Sequence, residues 1–333
     1  MKYSGRILHT VVLSFIFGAA MAQQVPIYSQ YVMNGFLLNP SFAGRDGFTS
    51  VNLTVRQQWV GLAGAPSTFA ASIQTRVLKT SYILKSSTVR KKIIRPTKGG
   101  RVGAGGYVFN DRNGIMKRTG FQAAYAYHIP MKQALDGYPR DLAFGLGLTC
   151  YQYAIDTDGF LYKYDDPYLN TYDRAMFIPD FNFGVNFTTS KFFVGFSMTN
   201  LTRGALSIGN QNDDRTEELG HYFLTGGVKF NLTRDWVFEP AGFIKASDLL
   251  LSSFQADISA RMYYKGDYWA GVSYRTGDAV IGMIGFRYDK FFFAYAVDFT
   301  LTDIRQESFG THEVSIALKF GSSARRFRWI NVF

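Results

Sequence analysis

The side chains best suited to chemistry in this chain are three histidines, His128, His221 and His312, and its single cysteine, Cys150. Zinc and related metals need clustered His, Cys or carboxylate ligands at short spacing. These residues stand far apart, so the sequence predicts no metal and no cofactor. Asp165-Asp166 brings two carboxylates together but lacks the spaced oxygen ligands of a dedicated calcium loop. A hydrolase would need a nucleophile oriented by His and a carboxylate. Such groups can converge from distant strands, yet no nucleophile elbow or equivalent short motif is present, and the chain is not expected to be an enzyme. The histidines are expected at strand ends, packed at the membrane interface. The glycine-rich run GRVGAGGY from Gly100 has no helix after it to cradle a phosphate, so it reads as a strand with small inward residues.

A second group of residues could bind rather than react. From Lys79 to Arg101 there are eight basic residues and no acid. Arg90, Lys91, Lys92, Arg95 and Lys98 form its centre. Composition alone would suit nucleic acid, but an exported protein does not meet it, so no nucleic-acid partner is expected. Two readings stay open: a solvated loop that meets anionic lipid head groups, or a docking site for a periplasmic partner.

Export itself is written at the start of the chain. Lys2 and Arg6 precede an apolar run from Val11 to Phe17, which ends at Ala20-Met21-Ala22. This is the order of a secretory signal peptide over residues 1–22, cut after Ala22. No later segment holds the roughly 18–20 consecutive apolar residues of a spanning helix. Cys150 lies far from the cleavage site, so there is neither a lipid-attachment cysteine nor a disulfide framework. Aromatic residues make up 17% of the chain (31 Phe, 21 Tyr, 4 Trp), with 33 Gly. A transmembrane β-barrel accounts for this, because lipid-facing and lumen-facing side chains alternate while aromatic girdles mark both interfaces.

The elements that must position any site therefore have period two. In THEVSIALKF, His312, Val314, Ile316, Leu318 and Phe320 fall on one side, and Thr311, Glu313, Ser315, Ala317 and Lys319 on the other. In SFQADISARMYY, Phe254, Ala256, Ile258, Ala260 and Met262 oppose Gln255, Asp257, Ser259 and Arg261. Val51, Leu53, Val55 and Trp59 oppose Ser50, Asn52, Thr54, Arg56 and Gln58. Leu142, Phe144, Leu146 and Leu148 oppose Ala143, Gly145 and Gly147. Pro240 lacks an amide donor and is expected to mark a bulge or a strand end. The pattern predicts strands over 48–58, 67–77, 101–110, 118–129, 140–153, 177–188, 191–199, 219–230, 234–245, 252–264, 267–275, 278–288, 290–298 and 311–320. The fold class is thus all-β: an antiparallel outer-membrane β-barrel of about 14 strands, an even number that leaves no open edge in lipid.

The expected division is a signal peptide (1–22), an N-terminal periplasmic or lumen segment (23–47), a barrel (48–320) with a basic periplasmic loop (78–100), and a C-terminal tail (321–333). With both barrel ends in the periplasm, tight turns at 189–190, 231–233, 265–266 and 289 fall on that side. The longer connections, 154–176, 200–218 and 299–310, fall outside, and only the loop at 78–100 runs against the rule. Charge follows: the net +11 loses Lys2 and Arg6 with the signal, while Asp156, Asp158, Asp173, Asp213, Asp214, Glu217 and Glu218 make the outer loops acidic. The inward charges Arg56, Arg76, Glu239, Lys245, Asp257, Arg261, Arg275, Asp298, Glu313 and Lys319 have mixed signs. Such groups are expected to pair inside a plugged or narrow lumen, since isolated charges in a confined space are costly.

Several ordered blocks carry a family resemblance. YSQYVMNGFLLNPSFAG (Tyr28 to Gly44) followed by VRQQWVGLAGAPST (Val55 to Thr68) resembles the opening of the PorP/SprF family of type IX secretion system membrane proteins from Bacteroidetes. So do GGYVFNDRNGIMKRTGFQAAYAYHI (Gly105 to Ile129), PDFNFGVNFTTSKFFVGFSMTNL (Pro179 to Leu201), YWAGVSYRTGDAVIGMIGFRYDKFFFAYAVDFT (Tyr268 to Thr300) and GTHEVSIAL (Gly310 to Leu318). The resemblance implies an outer-membrane component of protein secretion and, in gliding bacteria, of adhesin export. It implies as partners the periplasmic secretion machinery or a peptidoglycan-binding lipoprotein inside, and C-terminal domains of secreted cargo or adhesins outside. It carries over no catalytic residue. Its recurrent positions Asn39, Pro40, Gln58, Trp59 and Gly61 match here without a chemical role. The basic stretch before Gly100 reads as an insertion in the family pattern, and the tail GSSARRFRWINVF runs past the last strand. The competing reading from the residues alone is a small-solute transport barrel.

Overall fold

The computed structural model describes residues 28–31, 33–47, 49–77, 101–131, 140–155, 176–189, 191–202, 205–207, 215–217, 220–247 and 254–320. The expected signal peptide, the expected basic loop with Arg90, Lys91, Lys92, Arg95 and Lys98, and the expected tail from Gly321 lie outside the described residues. Fourteen strands close into one antiparallel barrel. They are β1 (Thr49–Gln57), β2 (Ser67–Val77), β3 (Val102–Asn113), β4 (Met116–Met131), β5 (Arg140–Ile155), β6 (Met176–Thr189) and β7 (Phe192–Thr199). Then follow β8 (His221–Val228), β9 (Trp236–Ala246), β10 (Phe254–Tyr264), β11 (Tyr268–Arg275), β12 (Ala279–Tyr288), β13 (Phe291–Thr300) and β14 (Thr311–Phe320). Each strand pairs with its sequence neighbours, and β1 pairs with β14 from Thr49↔Phe320 to Gln57↔His312. This last ladder closes the sheet, so no row of backbone donors faces lipid. A two-stranded ribbon, Ala205–Ser207 with Arg215–Glu217, stands apart from the wall.

Alternation explains why these residues form a wall. Along β1 the burial swings residue by residue, with Ser50, Asn52, Thr54 and Arg56 buried and Val51, Leu53 and Val55 exposed. Large apolar side chains exposed to this degree, such as Ile258 at 66% and Leu146 at 62%, form a belt suited to lipid. The inward side chains are polar, small, or aromatic and apolar where they meet one another and the plug. Trp59 is a correction to the outward series, because β1 ends at Gln57 and Trp59 sits in the following loop at φ 43°.

Two further expectations change. Pro240 marks neither a bulge nor a strand end, for β9 runs through it and holds the register Pro240↔Ala260 against β10. The missing amide acts on the other neighbour. Pairing of β8 with β9 is recorded to Gly227↔Ala241, lapses opposite Pro240, and resumes in the same register at Phe230↔Phe238. The polar run DRNGIMK, expected as a connection, instead extends the β3–β4 hairpin to Asn113↔Met116. Polar strand ends of this kind project beyond the apolar belt, where water accepts them. Tight turns consequently occur on both rims: Thr189 to Phe192 on the rim that carries Thr49 and Phe320, here the terminal rim, and Asn113 to Met116 on the opposite or far rim.

The space inside the wall is filled by the chain itself. Residues 28–47 run from the far-rim half of the lumen to the terminal rim before entering β1, forming two short 3-10 turns, Gly35–Leu37 and Pro40–Phe42. The core lies between this plug and the wall. Tyr31 and Leu38 pack with Phe223 and Phe243, and Phe36, Phe42 and Ala43 pack with Ala126.

Candidate functional site in the occupied lumen

The plug is fastened at three levels. At its far-rim end, the amides of Ser29 and Gln30 donate to the two carboxylate oxygens of Glu313 at 2.7 and 2.9 Å. Arg56 donates to Asp298 at 2.7 Å and to Glu313 at 3.1 Å, and also to the Ser29 hydroxyl. Ser29 Oγ in turn donates to Asp298 at 2.9 Å. A guanidinium with its donors in a fixed fork suits two carboxylates at once. Arg275 continues the network, 3.4 Å from Asp298 and 3.3 Å from Asp257. The mixed inward charges thus pair along the wall and around the plug. Further pairs are Arg261 with Glu239 at 2.8 Å, Arg76 with Asp141 at 3.6 Å and Lys319 with Asp46 at 3.2 Å.

In the middle, Asn39 and Pro40 act as a staple. Asn39 Oδ1 accepts from the Ser41 amide at 2.9 Å and the Ser41 hydroxyl at 2.6 Å, which caps the second 3-10 turn. Its Nδ2 donates to Val185 O at 3.3 Å and Phe196 O at 3.2 Å, carbonyls of adjacent strands β6 and β7. Pro40 occupies the first position of the turn, where its fixed φ fits and no amide donor is required. The wall gives way beneath: a Cβ on Gly184 would collide with Asn39 Oδ1, and one on Gly145 with the Ser41 backbone. Small inward residues here make room for another segment of the same chain.

Near the terminal rim, Gly44 takes φ 71° and packs its α-carbon against the β2–β3 backbone. His128, buried in the lumen, joins Asp141 at 2.7 Å to the Ala43 carbonyl at 2.9 Å. A histidine held between a carboxylate and a backbone carbonyl orients the plug. His221 is also buried inward, beside Phe223. Both are corrections to the expected interfacial position: the plug supplies a partner for His128, whereas His221 packs on a wall aromatic and its Nδ1 has no hydrogen-bond partner among the described residues. His312 alone lies on the outward series, 2.6 Å from the Tyr295 hydroxyl. Burial pushes the pKa of the Tyr28 and Tyr31 phenols up and that of the Arg45 guanidinium down, the latter against the pull of Asp46.

Gln58, Trp59 and Gly61 belong to a different place, the β1–β2 loop at the far rim. The Gln58 amide donates to Pro66 O at 2.8 Å and closes that loop. The Trp59 amide donates to Thr311 Oγ1 at 3.2 Å, and Val60 exchanges backbone bonds with Gly310 (2.9 Å) and Phe309 (2.8 Å). Gly61, at φ 106°, lies against the Phe309 ring, where a Cβ would come to 3.1 Å. These positions fasten the first strand to the last beyond the end of their ladder. Sequence reasoning missed the Ser29–Glu313 clamp, since nothing local to YSQY signals a partner 284 residues away.

Comparison with known proteins completes the picture. No curated protein matches the chain. Among solved structures, the outer membrane protein Omp33 of Acinetobacter baumannii is 7% identical, with 82% of this chain and 98% of that chain covered and a TM-score of 0.42. The TodX monoaromatic hydrocarbon channel is 13% identical, with 86% and 94% covered and a TM-score of 0.39. The family described as type IX secretion system membrane protein PorP/SprF matches residues 20–318, which include the whole plug and nearly all of the barrel. With that match over most of its length, this outer-membrane barrel belongs to the PorP/SprF family of type IX secretion system membrane proteins.

Proposed function

We propose that the protein acts as a binding and anchoring platform of the secretion and gliding apparatus rather than as a conduit. The observation that carries this reading is the occupied lumen. A segment tied by charge-assisted bonds at one end, an Asn39 staple in the middle and His128 at the other stands inside the barrel where an open channel would run. In this reading the terminal rim faces the periplasm, where machinery proteins or a peptidoglycan-binding lipoprotein dock. The basic residues Arg90, Lys91, Lys92, Arg95 and Lys98 lie in a connection that leaves this rim. The far rim then receives C-terminal domains of secreted cargo or adhesins, and no step of catalysis is assigned.

The protein purified from envelopes should recover periplasmic machinery or secreted cargo, and a deletion strain should lose secreted or surface-displayed proteins. Recovery of neither, together with normal secretion, would refute the platform. The small-solute transport alternative predicts conductance or solute uptake in reconstituted liposomes. An electrically silent protein argues against it.

A further inference from the structure

A cavity of about 70 Å3 lies near the far rim, between the start of the plug and the inner wall of β2–β8. One water takes roughly 10–15 Å3 on this scale and about 30 Å3 of liquid, so the space equals about five to seven waters, the bulk of one six-membered sugar ring.

Its lining is built, not left over. Tyr107 and Phe109 present an angled aromatic pair, with centroids 5.9 Å apart and planes at 49°, and Tyr28 of the plug lines the same space. Asn200, just past the far-rim end of β7, also lines it. Its backbone takes φ 57°, a region Asn tolerates better than most residues. The side chain is only 4% exposed, and its Nδ2 has no hydrogen-bond partner among the described residues. A buried amide donor without a partner is costly unless something polar meets it.

The remaining polar groups are arranged to accept. Tyr107 and Thr149 each donate their hydroxyl hydrogen to Gln122 Oε1, at 3.0 and 2.9 Å. Thr149 Oγ1 also accepts from Asn182 Nδ2 at 2.7 Å, so the lone pairs of the Tyr107 oxygen are what chiefly remains to offer. Thr68 donates to one carboxylate oxygen of Asp111 at 2.7 Å, leaving the other to accept. Asp111 and Arg118 line the cavity together and are register partners across β3–β4, so their charges balance. A balanced pair favours a neutral ligand over an ion.

Aromatic faces, one unused amide donor, several acceptors and no net charge together match a molecule with apolar C–H faces and hydroxyls at its edge. We propose that this cavity binds a single neutral saccharide ring, packed on Tyr107 and Phe109 and hydrogen-bonded by Asn200 and Asp111. The inference goes beyond anchoring and does not depend on it.

The test uses the full protein in lauryldimethylamine oxide, because glycoside detergents would present the ligand's own head group. Glucose, galactose, mannose and N-acetylglucosamine are titrated calorimetrically, with glycerol and glucuronate as comparisons. Saturable binding of at least one neutral pyranose is expected, with a dissociation constant on the order of millimolar for so few atoms. Asn200→Asp, which keeps the left-handed backbone but removes the donor, should weaken it by about tenfold. Asp111→Asn should weaken it as well, with barrel folding verified for both by heat-dependent electrophoretic mobility. No saturable binding, unchanged affinity in Asn200→Asp, or equal or better binding of glycerol or glucuronate would each overturn the assignment.

Discussion

Replacing Arg56 by Met should release the far-rim end of the plug while leaving the barrel wall closed. In the parent, Arg56 lies 2.7 Å from Asp298 and 3.1 Å from Glu313, and all three side chains are at most 4% exposed. Removing one member of a buried ion pair typically costs about 3–5 kcal/mol. Two compensations favour the lower figure here: Glu313 keeps the Ser29 and Gln30 amides, and Asp298 keeps Arg275 at 3.4 Å. The wall is held by backbone ladders between every pair of neighbouring strands, whereas the plug end is held by side chains, so relief comes by its leaving and water entering. A loss of about 3 kcal/mol raises the open population about a hundredfold. Met33, which packs against the buried cluster around Trp269 and Met283, is a suitable reporter. In a Cys150→Ser background carrying Met33→Cys, a water-soluble maleimide should label the introduced thiol about a hundredfold faster once Arg56→Met is added, because labelling follows the open population. Arg56→Lys should lie between, since an ammonium cannot fork onto two carboxylates. Adding Glu313→Gln to Arg56→Met should restore much of the protection by removing the stranded charge. A folded Arg56→Met protein that labels at the parental rate would refute the clamp.

Gly184→Ala should disturb the Asn39 staple and speed the same labelling reaction, at a cost of about 1–3 kcal/mol for forced overpacking. Gly226→Ala, whose new carbon would meet nothing closer than 3.5 Å, should not. Ile258→Arg on the lipid belt should destabilise folding into liposomes by about 2–4 kcal/mol if the site is near the bilayer midplane, read as a lower urea midpoint. An unchanged midpoint would place Ile258 outside lipid. Replacing Lys91 and Lys92 with Glu should reduce recovery of periplasmic partners while the barrel still folds; unchanged recovery would reduce that loop to a solvated excursion.

The wall was legible because its rule is local. A side chain at Leu53 or Ile258 faces lipid and its neighbours at Asn52 or Ser259 do not, whatever the rest of the chain does, so period two alone placed all fourteen strands near their observed positions. Boundaries moved where a local rule misread context. The polar DRNGIMK run continues its hairpin because it projects past the belt. Pro240 stays within β9 because its missing donor falls on a neighbour that can skip a bond there. The inward charges announced a filled lumen, but their pairing was invisible, since Arg56, Asp298 and Glu313 meet only when the first and last strands close on each other.

Sequence by itself therefore determined the alternation, the strand number, the closed barrel and, through ordered blocks, the family. Tertiary structure decided what fills the barrel and why particular small and polar residues recur. Asn39 has no role until two strand carbonyls stand beneath it, and Gly145 and Gly184 are merely small until a segment of the same chain lies on them. The physical reason is range. Patterning against lipid is set within two residues, whereas the plug is held by partners up to 284 residues away, whose meeting depends on the completed wall.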